Sequence, residues 1–454
     1  MSEAEAESED TTTSDLLLPP RTRLLHIGIP KTGTTSLQNA AADNRRLLRE
    51  HGVRYPGKSM NHRAAVSGLL GRRWGWSGKG SSVPPRDAWE ELLREVDADA
   101  ERRIFISHEF GSEATDEQAV QFVRELGERT HVVVTLRAVG AILPSAWQQY
   151  IKTGYAGTFD EWLHAVIGEK PNPKITSSYH LRNDQGGVVK RWVEAAGPEN
   201  VTVVILDKRR PALLSDAFEG MLGLPTGMLV AEDTTGFAAN RGMSLPEAEL
   251  LRQFNASIRG RRVDWNHYHP LIRLGAVARI LDERTPGPDE PKIMLPPWAV
   301  DRAVELGQRY AADIRESGAR VVGDLSLLSV AAPARPVELS DTLGTVPSDI
   351  AVDALGGLFS MATGRSHDFR EADEAPKVTG NAAIDRTATM PTGTVPTADL
   401  VRVLGARVAR KFSDVRRDRK RRADASAKAR EPGTSAGAAA STTDASTSTP
   451  GGEQ

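Results

Sequence analysis

The 454-residue chain contains no cysteine. Disulfides, thiolate metal sites and a cysteine nucleophile are thereby excluded, and the composition fits a reducing compartment such as the cytoplasm. Long apolar runs are missing too: no window approaches eighteen consecutive apolar residues, so no membrane-spanning helix is expected. The opening stretch MSEAEAESEDTTTSD lacks the positive start and apolar run of an export signal. Aromatic residues are scarce, and beyond Ala331 the chain turns to Pro, Ala, Thr, Gly and Asp. Such a composition buries too little apolar surface to offset ordering entropy. Nor does one charge dominate. The net charge of -2 argues against a globally basic, nucleic-acid-binding surface, although it hides an acidic head balanced by the basic run RVLGARVARKFSDVRRDRKRR.

What is present is alternation. RLLHIGI, RRIFISHEF, THVVVTLR and VTVVILDKR are short apolar, β-rich runs, and helical patterns such as TTSLQNAAADNRRLLREHG, TDEQAVQFVRELGER and AVGAILPSAWQQYIKTG lie between them. Pro144 in the last of these marks a first turn or a kink. Strands and helices in this order predict an α/β, three-layer P-loop fold: a central parallel sheet, helices on both faces and ligands beyond the carboxyl ends of the strands. The expected organisation is a disordered acidic N-terminus over 1–20, one folded domain over 21–330 and a disordered linker over 331–399. A basic segment follows over 400–422 and a disordered low-complexity tail over 423–454. The basic segment reads either as a solvated charge run or as an amphipathic helix resting on an anionic membrane surface.

The stretch HIGIPKTGTTSLQNA, His26–Ala40, has the glycines, hydroxyls and following helix that a phosphate-cradling loop needs. Its lysine is displaced. In a Walker A loop the lysine follows the second glycine; here Lys31 precedes Gly33, and Thr34 and Thr35 occupy the Lys-Ser/Thr positions. The order PKTGTTSLQ resembles the 5'-phosphosulfate loop of the sulfotransferases that use 3'-phosphoadenosine-5'-phosphosulfate (PAPS), particularly bacterial and carbohydrate-type members. That family also has a later strand ending in Arg with a Ser eight positions on, which TLRAVGAILPSAW matches with Arg137 and Ser145. VILDKRRPALLSDAFEGMLGLP is similar to a further strand–helix segment of the family, so the likeness runs over roughly Arg21–Leu224.

The resemblance implies that 21–330 is a sulfotransferase domain and that Pro30, Lys31, Thr32, Gly33, Thr34, Thr35 and Ser36 hold the phosphosulfate, with Lys31 acting on the transferred group. It implies Arg137 and Ser145 at the 3'-phosphate, and, more loosely, Arg241 in ANRGMS. No metal is required by this scheme. Ser36 stands where cytosolic members often have an adenine-stacking tryptophan, and Leu206 near their aromatic position, which leaves the adenine contact open. The acceptor's attack needs a general base. His108 and Glu109 end the RRIFISHEF strand, where ligands should lie, and the resemblance places His108 first and Glu109 as the carbohydrate-type alternative. Neighbours on a strand face opposite ways, so the two are not expected to share one task. His62 is a further candidate on the acceptor side; His267 and His269 read as loop histidines.

The loop GLLGRRWGWSGKGSSVPPRD reads either as a mobile surface loop or, through Trp74, Trp76 and its arginines, as a lid for a carbohydrate or glycolipid acceptor. Two other functions remain open at this stage. Asp207, closing the VTVVILD strand, imitates a Walker B acid and would suit a Mg-ATP-dependent kinase or ATPase; a nucleotide-binding scaffold without turnover is the other.

Overall fold

The computed structural model describes residues 16–76, 79–169, 172–230, 241–336, 340 and 342–363, all within the unit Met1–Glu374. The expectations for 400–422 and 423–454 concern residues outside that set, as do those for 1–15 and 364–399. Six strands form one sheet: β1 (Arg23–His26), β2 (Val53–Arg54), β3 (Arg103–Ser107), β4 (Thr130–Leu136), β5 (Val201–Ile205) and β6 (Arg320–Val322). Their order is β2-β3-β1-β4-β5-β6, with every pairing parallel. The four longer strands are those legible in the sequence. The two edge strands, of two and three residues, are too short to carry a periodic pattern.

Helices cover both faces, as expected of parallel strands buried on each side. Alternate residues feed two separate cores. Leu24, Phe105, Val133 and Val204 point to one face and pack with Leu37, Leu48, Phe218 and Met221. Leu25, Ile106, Val134 and Val203 point to the other and pack with Phe122, Trp147, Trp192 and Ile314. Pro144 lies inside the helix Val139–Ile151 rather than in its first turn. There its ring nitrogen leaves the Gly140 carbonyl without its helical donor.

Two boundaries move. Leu16 and Leu18, in the N-terminal stretch expected to be disordered, are buried, and the Leu18 amide donates to the Met221 carbonyl at 3.0 Å. Beyond Ala331 the chain carries the helix Ser348–Thr363, again where disorder was expected. It carries Ile350, Leu355, Leu358 and Met361, and Gly357 lies so close to Gly275 that a Cβ at either would overlap the other's backbone. Close backbone approach adds to the burial of Ile350 and the packing of Leu358. Among the described residues no helix is long and apolar enough to cross a membrane.

That helix is also tied by charge. Asp349 accepts from Arg284 at 2.7 Å, and Arg284 reaches the wholly buried Glu247 at 2.9 Å. Glu247 caps the helix Leu245–Ile258 through the Ser244 amide and takes two further hydrogen bonds from Arg241, at 2.8 and 2.9 Å. Removing one partner of such a buried cluster leaves uncompensated charge. Glu247→Gln is therefore expected to cost about 3 kcal/mol, read as a lower urea midpoint at unchanged slope. An unchanged midpoint would show that the cluster is not a structural tie.

Candidate active site

Because β1 is central, the ends of β3 and β4 flank the loop that follows it. Ile27 and Ile29 continue the pairing by donating to the Val133 and Thr135 carbonyls at 3.0 and 3.2 Å. The chain then turns sharply: Lys31 has φ 72° and Gly33 φ 75°. A lysine in the left-handed region costs free energy, and such strain collects where a loop must present its groups in a fixed way. Gly33 starts the helix Thr34–Asp43 with no side-chain cap, so the amides of its first turn remain donors for an anion. Thr34 Oγ1 is buried and has no partner; Thr35 and Ser36 are exposed at the same turn. Thr32 is different. Its hydroxyl turns inward to donate to the Ile29 carbonyl at 2.6 Å, so only its backbone can serve a ligand.

Beneath the loop lies a buried chain of hydrogen bonds that sequence reasoning missed. Thr32 has spent its proton, so Thr135 donates to Thr32 Oγ1 at 2.6 Å, and His26 Nε2–H must donate to Thr135 Oγ1 at 3.1 Å. His26 Nδ1 then accepts from the Ser107 hydroxyl at 2.9 Å, which accepts in turn from Gln38 at 3.0 Å. The chain joins β4, β1, β3 and the helix Thr34–Asp43. Burial, aided by His108, holds the His26 pKa down to about 3, so the imidazole is neutral. A Cβ at Gly28 would overlap Thr135 Oγ1, which is why glycine occupies that position. A histidine inside an otherwise apolar strand was the available signal.

Arg137, at the end of β4, donates to the Lys31 carbonyl at 3.3 Å, and Ser145 lies on the helix that follows, its hydroxyl on the Ile142 carbonyl. Three further cations gather here that the sequence reading did not single out: Arg63, Lys152 and Arg273. Arg273 and Arg137 lower the Lys31 pKa after burial, and Glu109 raises it. Arg63 and Arg273 lie 4.0 and 5.4 Å from the centre of the Trp74 ring. Among the described residues, the side chains of Lys31, Lys152 and Arg273 have no hydrogen-bond or ion-pair partner. Arg273 sits in a π-helical segment, His269–Val277, a geometry frequent at functional sites. Its sequence signal was a lone charge in the run HPLIRLG.

Arg241 does not join them. Its guanidinium is committed to Glu247 and to the carbonyls of Gly242, Ile280, Leu281 and Arg284. All five of its donors are used, so its expected role at the 3'-phosphate is replaced by a structural one.

His108 and Glu109 meet rather than part. β3 ends at Ser107 and the chain enters the 3₁₀ turn Glu109–Glu113, so strand alternation stops and His108 Nε2 lies 3.7 Å from Glu109 Oε2. His108 is 2% exposed and its Nδ1 accepts from the Phe110 amide at 3.1 Å. Burial, then Arg63 and Arg72, holds its pKa down to about 3; the neutral ring therefore carries its proton on Nε2, facing the carboxylate. Glu109 is 31% exposed. His62 is a structural group: Nδ1 accepts from the Ser107 amide at 3.0 Å and Nε2 donates to the Pro56 carbonyl at 3.0 Å.

Trp74 and Trp76 belong to a packed aromatic group. Trp74 meets Trp265 and His269 edge-on, and Trp76 packs on Trp265 and Tyr268 while donating to the Thr153 carbonyl at 2.7 Å. Trp76 also lines a cavity of about 830 Å³, with Lys79, Tyr155, Arg259 and Arg261 at its wall. His267 pairs with Asp264 at 2.8 Å. Asp207 is turned onto Arg209 at 2.9 Å, an arrangement that does not prepare it as a Walker B acid.

No family model matches the chain, and no curated protein sequence does. Among solved structures, a sulfotransferase from Alicyclobacillus acidocaldarius matches at 18% identity with a TM-score of 0.33, the match covering 55% of this chain and 100% of that one. At that score the likeness carries no argument; the fold assignment rests on the strand order.

The buried histidines make the fold sensitive to acid. His62 and His131 are held to about 4, chiefly by burial, beside His26 and His108 at about 3. The unfolded chain binds these protons near pH 6.5 and the folded chain does not, so stability is full above 6.5 and is lost as pH falls toward the folded values. From pH 6.5 to 4.5, above most carboxylates, each histidine adds a slope of up to about 1.4 kcal/mol per pH unit. His26→Gln should lower that slope by about a quarter in urea titrations across this range. A flat midpoint in the parent chain would contradict neutral burial.

Proposed function

We propose that this chain is a PAPS-dependent sulfotransferase acting on an acceptor hydroxyl, with a carbohydrate or glycolipid as the favoured acceptor class. The observation that carries the reading is the convergence, at one helix N-terminus, of an unpartnered buried Thr34 hydroxyl, a left-handed Lys31 and unpaired cations beside a single part-exposed carboxylate, Glu109. That donor set fits a polyanion. PAPS, when bound, supplies a sulfuryl group joined to a phosphate leaving group. Lys31, Thr34, Thr35 and the helix amides would hold that end, with Pro30, Gly33 and the Thr32 backbone shaping the turn and Ser36 at its rim. Arg137 and Ser145 would hold the 3'-phosphate, the Ser145 proton rotating from Ile142 toward the anion.

Glu109 is the better base. His108 presents Nε2–H toward it and so has no free lone pair there, whereas the carboxylate can take the acceptor's proton directly. His108 then orients Glu109 and keeps its negative charge directed at the site. Burial lowers the Arg137 pKa without discharging it, since guanidinium stays protonated at any working pH.

Calorimetric titration separates this reading from its rivals. Adenosine 3',5'-bisphosphate is expected to bind without magnesium and more tightly than ATP–Mg, and Lys31→Ala or Arg137→Ala to weaken it about 10- to 100-fold, the range of a lost hydrogen bond to a charged group. Failure of the bisphosphate to bind the intact chain would overturn the proposal. With an acceptor in hand, Glu109→Gln should cut kcat by about 10²- to 10⁴-fold, more than His108→Ala does. The reverse ranking would return the base role to His108.

A further inference from the structure

Lys152 ends the helix Val139–Ile151 and is buried, yet no carboxylate answers it. The charged groups that face it come from three directions: Lys31 in the phosphate loop, Arg273 on the π-helical segment, and Arg241 with Glu247 beside the helix Leu245–Ile258. Three of these four are cations. The fourth, Glu247, is bonded to Arg241 and Arg284, so it cannot neutralise Lys152 as well. Lys152 also falls seven residues after Ser145, on the same face of that helix. Buried charge without a counterion is retained at a cost in stability, and here one member of the cluster, Lys31, belongs to the loop that precedes the helix N-terminus.

The three cations differ in what they can do about their mutual repulsion. Arg273 stays protonated, and Lys31 has Glu109 within electrostatic reach. Lys152 is not permanently charged, and the carboxylate within its reach, Glu247, is already bonded to Arg241 and Arg284. We propose that Lys152, Lys31 and Arg273 form an oxyanion site in which Lys152 is the member that takes up a proton as the anion enters, so that anion binding is coupled to protonation. The coupling needs only an oxyanion at the loop, and it rests on the sulfotransferase reading solely for the identity of the natural ligand. In the free chain burial lowers the Lys152 pKa most, followed by Lys31, Arg273 and Arg241, to about 7, which leaves the amine largely neutral at pH 8. An oxyanion beside it reverses the sign of its surroundings and restores the charge.

The test is calorimetric titration of the full chain with inorganic sulfate and, separately, with adenosine 3',5'-bisphosphate, at pH 8 in Tris and in HEPES matched for ionic strength. Sulfate takes up no proton near neutral pH, so any proton must go to the protein. Binding should take up about one proton at pH 8 and almost none by pH 6, where Lys152 is already charged. Lys152→Met should abolish the uptake. Lys152→Arg, which keeps the charge and guards against a folding defect in the first variant, should bind sulfate with no uptake at either pH. Sulfate binding with uptake but no nucleotide binding would uphold the coupling and overturn the donor reading. Nucleotide binding without uptake, or uptake that persists in Lys152→Met, would overturn the coupling, as would failure of both ligands to bind.

Discussion

The candidate site depends on keeping one imidazole neutral. His26 sits at the middle of the sheet with Ser107 on one side and Thr135 on the other, and the proton directions in that chain are fixed from the Thr32 end. Were His26 protonated, both nitrogens would donate, and the Ser107 hydroxyl would have to turn away and leave its own proton without that acceptor. Burial prevents this by making the charged form too costly. The result is a cross-brace that sets the loop through Thr32, the strand of the proposed base through Ser107 and the Arg137 strand through Thr135. Three functional segments thus share one rigid floor, which a site held to fractions of an ångström requires.

Above that floor the balance of forces reverses. Elsewhere in the fold buried or half-buried arginines are answered: Arg72 and Arg182 by Glu113, Arg241 and Arg284 by Glu247. Around the loop cations gather with little opposing charge, and there the helix N-terminus adds more positive potential. The fold's stability is lower for it. Negative charge placed beside the loop gains both from the individual contacts and from offsetting the mutual repulsion of Lys31 and Arg273.

Much of the sheet was legible because β3, β4 and β5 are buried on both faces and so read as continuous apolar runs. The loop was legible because its chemistry is local. Pairing choices were not. Arg241 and Arg273 are each a single arginine in a modest context, and what separates them is Glu247, six residues after Arg241, which the turn into the helix Leu245–Ile258 brings back against it. Likewise, the expectation that His108 and Glu109 face apart applied strand geometry one residue beyond the strand. The helix Ser348–Thr363 was hidden because the chain beyond Ala331 is small and polar on average, while Ile350, Val352, Leu355, Leu358, Phe359 and Met361 are concentrated in this one segment.

The aromatic group positions part of the cation cluster. Trp74 is contacted by the Arg63 and Arg273 guanidinium groups and, edge-on, by Trp265 and His269, while Trp76 is pinned to the Thr153 carbonyl, one residue beyond Lys152. A ring face attracts a guanidinium without neutralising it, so it positions charge that remains available to a ligand. A carboxylate in the same place would have held the arginine but cancelled its charge. The segment GRRWGW, which on composition alone reads equally as a mobile loop, therefore acts as the wall that orders Arg63 and Arg273. Beyond Trp74, Trp76 lines the separate cavity walled by Lys79, Tyr155, Arg259 and Arg261.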